Sequence, residues 1–485
     1  MLNRFSFLKK SKWSFLVLAF TISFSGYQYI KYYHLYTISW DVYGYYLYLP
    51  QAFINHDLGM ENQEDFELIG EVYPIGGNFY QRAWSDAGYW VIKYPIGMSY
   101  LYLPAFITGQ TIACLTDNYV DGYSPPYERS LWVLCFISVV TGLIILRKIL
   151  LKLFGDLTSA LVLFFIYFGT NYIATTSISA AMPHNFLFTM FALNVWFTIK
   201  WWETNRIKYA VFLGIVLGIS IAARFTSAIG ILIPVFWGTD FTLKAVRNRI
   251  VVLFTKKLTH TLVALLIIVL LFFPQMLYWK TYAGSWIYDS YANPGEGLDL
   301  LSPYTFSFLF SYRKGWLVYT PIIIFAILGL IYIWKNNRTL FLPVLSFFCI
   351  NLWVLSSWTT WWYAQSFSQR PMVDSLPLTA IMLGFFIDNF SKRKRWVFYS
   401  VNLLLLLITC FTLFQFWQFT RGIIHGSRMN KNYYWAVFGA TEHHPELNDL
   451  LSAERIIDEE KKIKDESRYN RKYLCNYAFN DFDEY

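Results

Sequence analysis

SLWVLCFISVVTGLIILRKIL, residues 130–150, carries no charge until Arg147 and Lys148 close it. About 20 apolar residues is the length that crosses a bilayer. Backbone groups find no water partners in lipid, so such a stretch must be helical. The paired cations at one end say which face it reaches, because Lys and Arg collect on the cytoplasmic side. Arg147 and Lys148 thus lie inside, and Ser130 lies at the outer face.

Working outward, ten further stretches read as spans: 13–31, 157–175, 184–202, 208–223, 225–239, 260–279, 317–334, 339–357, 374–390 and 396–418. Composition agrees. The 485 residues are 56% hydrophobic and 15% charged, against about 25% charged in soluble domains. That is too little charge to cover a soluble protein of this size. A soluble enzyme, a disordered chain and a nucleic-acid binder are excluded, although the net charge is +9. Five Cys without a CxxC pair give neither a disulfide framework nor a zinc ribbon.

Arg4, Lys9, Lys10 and Lys12 precede an apolar run from Trp13. No small-x-small cleavage site follows, so the start reads as an uncleaved signal anchor with its N-terminus inside. The cytoplasmic segments are then 1–12, 147–156, 199–208, 239–259, 335–338 and 391–395. They hold 21 of the 40 Lys and Arg. The basic excess therefore marks a membrane face, not a nucleic-acid site. An odd number of spans puts the C-terminus outside.

The apolar run 94–114 does not fit as a crossing, since it would invert every later loop. It reads as an irregular amphipathic helix on the outer surface, with Pro95, Gly97 and Pro104. Residues 32–129 become one long outer loop, and loops of that length are uncommon unless functional. Further outer loops span 280–316 and 358–373. A transmembrane domain, 1–419, is followed by a tail or small outer cap, 420–485. The tail opens on Tyr433, Tyr434 and Trp435, and 451–468 reads as a charged helix.

The chemistry concentrates in WDVYGYYLYLP, residues 40–50. Aromatic residues are expected at the interface; the carboxylate of Asp41 is less so. It is either a general base for an acceptor hydroxyl or the N-cap of the following helix. His56 and Asp57 are either polar contacts to substrate or a turn.

Asp41 with Tyr45 and Tyr46, following a basic-flanked first span, resembles the start of the GT-C membrane glycosyltransferases. The resemblance is to the protein O-mannosyltransferase and aminoarabinose-transferase-like branch. KYPIGMSYLYLPAF, 93–106, and SPPYERSLWVL, 124–134, resemble later parts of that family's first loop. WWYAQSFSQRPMVDSLPL, 361–378, and SYRKGWLVYTP, 311–321, resemble late loops of bacterial GT-C-like proteins. The family's usual Asp-Glu pair is absent, because Val42 follows Asp41. The resemblance implies a GT-C bundle of about 11 helices and a polyprenyl-phosphate-linked sugar as donor. The acceptor would be lipid, glycan or protein. It also implies a catalytic Asp, which falls on Asp41.

Such a donor needs cations at headgroup depth, and outer-face cations are scarce. Arg82, Lys93, Arg224, Arg313 and Arg370 are the candidates for its phosphate. Each has a plainer role: Arg224 could snorkel, and Arg370 could pair with Asp374. Arg313 and Lys314 open a span on the outer side, against the charge rule. His184 could bond a sugar or cap its helix. Trp361 and Trp362 could stack on a sugar or anchor the interface. No ligand spacing argues for a metal, and no other cofactor is implied. A flippase of lipid-linked sugars, or a surface-polysaccharide ligase or polymerase, is the alternative. The first usually shows inverted repeats and polar groups at mid-membrane, and neither is evident.

Overall fold

The computed structural model describes residues 11–32, 37–76, 79–291 and 296–451. It is an all-α membrane protein. Five helices are long and apolar enough to cross a bilayer: Pro125–Leu153, Leu258–Tyr282, Arg338–Ser356, Arg370–Ser391 and Arg395–Thr420. Four shorter apolar helices are Asp156–Phe168, Ile207–Ala223, Phe225–Phe236 and Ile323–Asn336. Lys12–Lys31 and Pro183–Thr204 complete the long helices. Arg370–Ser391 is 94% buried over its apolar window, whereas Leu258–Tyr282 is 11% buried. The first is the centre of the bundle. The second turns its apolar surface outward, as lipid requires.

Three expected spans are interrupted. The stretch 157–175 breaks after Phe168, before a short helix Tyr172–Ser177. The stretch 317–334 breaks between Trp316–Tyr319 and Ile323–Asn336. Pro321 lies in that gap and has no N–H to continue the ladder. The stretch 225–239 begins as a 3-10 helix, Phe225–Ile231.

The bundle has two distinct ends. At one, Asp156 accepts from the N–H of Trp13 (2.8 Å) and of Ser14 (2.9 Å). Arg147 Nε donates to Ser14 Oγ at 2.9 Å, and Lys152 pairs with Glu203 at 2.5 Å. At the other, Glu128 accepts from the N–H of Thr37 (2.7 Å) and of Ile38 (2.8 Å). One carboxylate thus ties the start of the first loop to its end.

That loop is built, not open. It contains helices Trp40–Tyr46, Tyr48–Phe53 and Gln63–Val72. A two-stranded antiparallel hairpin follows, with Arg82 opposite Ile92 and Trp84 opposite Trp90. The hairpin has no counterpart in the all-α expectation. Residues Gly97–Cys114 form one continuous helix with Pro104 inside it, not the irregular segment its Pro and Gly content suggested. Two neighbouring helices pack closely against it at its glycines. A Cβ on Gly97 would fall 2.1 Å from Ala223 N, and one on Gly109 2.6 Å from Tyr127 Cα. Gly97→Ala is therefore expected to destabilise the protein by about 1–3 kcal/mol through overpacking. A thermal melt in detergent checks this; an unchanged midpoint would show the two helices free to part.

The described part of the tail docks on the Arg395–Thr420 helix. Gln418 Nε2 donates to the carbonyls of Val437 (3.1 Å) and Ala440 (2.9 Å). Tyr434 donates to Gln415 Oε1 at 3.2 Å. The expected charged helix 451–468 lies outside the described residues, save for Leu451.

Candidate active site

Asp41 follows a strained residue. Trp40 has φ of 51°, a left-handed conformation that bulky side chains rarely adopt. Its N–H donates to Ile75 O at 2.7 Å, and Gln81 Nε2 donates to its carbonyl at 3.0 Å. Its ring packs on Gly76, itself at φ +78°, where a Cβ would come within 2.7 Å of the indole. These contacts hold the turn that sets the direction of Asp41.

Asp41 Oδ1 accepts from Tyr80 and from Tyr94, each at 2.7 Å. Oδ2 accepts from Arg370 Nη2 at 3.2 Å. Among the described residues Asp41 caps no backbone amide, so its place is side-chain chemistry and not the N-cap. Burial opposes its charge. The Arg370 guanidinium and the hydroxyls of Tyr94 and Tyr80 outweigh burial and hold the carboxyl below its ordinary value. Burial and the Asp41 charge push both phenols well above theirs, so they stay protonated donors. A carboxylate offers about four lone-pair positions. The tyrosines take both on Oδ1, and Arg370 takes one on Oδ2. The last position, on Oδ2, has no partner among the described residues, and the side chain is 24% exposed.

A second cluster shares the same turn. Arg370–Ser375 is a 3-10 turn that sends Arg370 to Asp41 and Asp374 to His184. Asp374 Oδ1 lies 2.9 Å from His184 Nδ1. Arg224 Nη1 lies 3.1 Å from Nε2 and 3.2 Å from Nδ1 of the same ring, so its guanidinium bears on the imidazole as a whole. Arg224 sits where the Ile207–Ala223 helix ends in extended backbone, 5.9 Å over the Tyr363 ring. Four expected residues, Asp41, His184, Arg224 and Arg370, thus form one network. The expected Arg370–Asp374 pair is replaced by two pairs, Arg370–Asp41 and Asp374–His184.

The remaining candidates lie as follows. Tyr45 is buried, its ring 4.5 Å from Tyr94. Tyr46 donates to Gly122 O at 2.8 Å inside the core. His56 is exposed, with Nδ1 3.1 Å from Ala52 O. The Asp57 carboxylate accepts from the N–H of Glu61 and Asn62, each at 3.0 Å, which is the turn alternative. Arg82 packs over the rings of Trp90 (4.3 Å), Phe66 (4.7 Å) and Phe79 (5.3 Å). Lys93 is buried, its carbonyl accepting from Ser290 Oγ at 2.6 Å. Arg313 lies 3.5 Å over Trp362 and donates to Ser427 O. Trp361 and Trp362 are buried edge to face. Among the described residues, no three His, Cys, Asp or Glu gather as metal ligands would.

Sequence reasoning passed over the hydroxyls of Tyr80 and Tyr94, which nothing local separates from the other 35 of 37 Tyr. It gives Lys314, together with Arg313, only a general leaning to anion binding over anchoring. Lys314 is 2% exposed, and its ammonium donates to Ser366 Oγ at 3.0 Å. No carboxylate pairs with it among the described residues. Burial, with Arg370 and Arg313 nearby, holds it well below the ordinary lysine value. Between its lowered and ordinary values the unfolded chain binds more protons, so stability rises with pH there. Lys314→Met should remove that slope. It should also stabilise the donor-free protein near neutral pH, because apolar replacement of a buried charge contributes up to about 4 kcal/mol. Melts over a pH series decide; a lower midpoint for the variant would show the Lys314–Ser366 bond outweighing desolvation.

No protein-family model matches the sequence, and no curated protein matches it. Solved structures match by fold. The apo crystal structure of the Archaeoglobus fulgidus oligosaccharyltransferase has a TM-score of 0.51 at 12% identity, over 92% of this chain and 60% of that one. The archaeal oligosaccharyltransferase AglB from Archaeoglobus fulgidus, in complex with an inhibitory peptide and a dolichol-phosphate, gives 0.48 at 12% identity with the same coverage. The chain spans about three fifths of the length of the structures it matches. The likeness is one of fold alone.

Proposed function

We propose that the chain is an integral membrane glycosyltransferase that moves a sugar from a polyprenyl-phosphate carrier to an acceptor hydroxyl. The reaction takes place at the outer face of a bacterial plasma membrane. The chain crosses eleven times with its N-terminus inside, and the tail forms an outer cap. One observation carries this reading: the Asp41 carboxyl, fixed by two phenols and an arginine, keeps one lone-pair position without a partner among the described residues, at the end of the bundle away from Arg147 and Lys152. A fold shared with an oligosaccharyltransferase supports it.

In the proposed reaction the acceptor O–H gives its proton to Asp41 Oδ2. Its oxygen attacks the anomeric carbon, and the bond from that carbon to the carrier phosphate oxygen breaks. The electron pair leaves with the carrier phosphate, and the sugar inverts. Holding the acceptor against Oδ2 removes the entropy of a chance encounter. Arg370 and Arg224, already fixed by Asp41 and His184, meet the charge on the departing phosphate without reorganising. Arg82, Lys93 and Arg313 take outlying parts of the donor site. Tyr45, His184, Trp361 and Trp362 line the sugar, with Tyr46, His56 and Asp57 supporting the loop.

The test is carrier-phosphate release. Purified protein in detergent is given a panel of labelled polyprenyl-phosphate sugars with native lipid extract as acceptor. Release that needs both donor and extract supports the reading; donor hydrolysis indifferent to acceptor contradicts it.

A further inference from the structure

The Pro183–Thr204 helix carries His184 at one end and a different cluster at the other, roughly 25 Å away at 1.5 Å per residue. The helix stops at Asn205, in the left-handed conformation at φ 53°. Beyond it, Arg249 lies 3.7 Å over the Trp202 ring. Lys257 lies 4.9 Å over Trp201 and 5.0 Å over Trp202, and donates to Asn205 Oδ1. Trp201 Nε1 donates to His260 Nδ1 at 2.9 Å, which fixes the first indole.

Two cations thus converge on one pair of indoles. Neither makes an ion pair among the described residues. Glu203, next to these indoles in sequence, is taken by Lys152 at 2.5 Å and Lys200 at 3.4 Å, and Asp240 pairs with neither cation among the described residues. Arg249 Nη1 is buried with no hydrogen-bond partner. Like charges brought together without a counter-ion repel, and a buried guanidinium N–H without an acceptor is costly. A bridging anion removes both penalties.

The helix that supplies Arg249, Leu243–Phe254, says what kind of anion. Leu243, Ile250 and Phe254 recur on one face and are 91%, 39% and 59% exposed. Lys244 and Arg247 flank them, exposed. An apolar face edged by cations is the pattern of a helix lying in the headgroup layer, and the anionic leaflet attracts such segments. We infer that this end of the bundle binds an anionic glycerophospholipid, its phosphate between Arg249 and Lys257 and its chains beside the exposed face of the Leu243–Phe254 helix. The site is separate from the Asp41 network and does not depend on the reaction proposed there.

The test uses the full chain in nanodiscs of phosphatidylcholine, alone or with phosphatidylglycerol added. Phosphatidylglycerol should raise the wild-type melting midpoint by several degrees. Arg249→Gln with Lys257→Gln should abolish that increment. Lys256→Gln, on an exposed neighbour, should keep it, and Arg249→Lys should keep most of it. If the double variant does not fold, Lys257→Gln alone is compared. An undiminished increment in the charge-removed variant overturns the site, as does a wild type indifferent to phosphatidylglycerol. The same increment from inorganic phosphate in phosphatidylcholine discs would overturn the lipid as its occupant.

Discussion

Asp41→Asn is expected to lower carrier-phosphate release by about 10²–10⁴-fold, the range that general-base catalysis supplies, with donor binding largely kept. The amide is nearly isosteric, so the turn at Trp40 should survive. What changes is the remaining position on Oδ2: a neutral amide cannot take the acceptor's proton. Depending on the amide's flip, either Tyr80 and Tyr94 together or Arg370 also face an N–H instead of a lone pair. A melt alongside separates lost chemistry from lost folding. Equal release by wild type and variant would remove Asp41 from catalysis and leave Asp374, through His184, as the other carboxylate of the network.

Arg370→Gln should have the second largest effect, about 10²–10³-fold, as for loss of one fixed donor to developing charge. It should also move the pH profile. In the wild type, Arg370 helps hold Asp41 below the ordinary carboxylate range, so the acid limb of the rate profile lies low. Without that cation, burial dominates and the limb shifts to higher pH. The sign for stability follows from the same group. A lowered folded value makes the pair's contribution complete above the ordinary carboxylate range and lost as pH falls through the lowered one. A rate that drops without any movement of the acid limb would place Arg370 on the phosphate alone, independent of Asp41.

The bundle was legible because lipid imposes one rule on every spanning stretch: long, apolar and helical. The breaks were less so. Pro321 was a visible stop signal inside 317–334, and Gly169, directly after Phe168, was another, although an expected span runs through each. In the site, Asp41, His184, Arg224 and Arg370 stood out because charge is scarce at that end of these helices. Their partners did not. Asp41 and Arg370 are 329 residues apart, and Asp374 looked like the natural mate of Arg370 because it is one turn away. A 3-10 turn points the two side chains to different neighbours. Arg82 and Arg313 had the same appearance as Arg370 in sequence, yet their guanidinium groups lie over aromatic rings.

The carboxylate of Glu128, holding the N–H groups of Thr37 and Ile38, has a consequence for how this protein can be altered. It cinches a stretch of some ninety residues at its neck. Once a neck is tied, doubling the length of what lies beyond it adds only about 0.6 kcal/mol of closure entropy. Added length at the exposed turns within residues 39–127 should therefore cost little, while the stretches that pack on the bundle, Gly97–Cys114 above all, fix where Asp41 stands against Arg370.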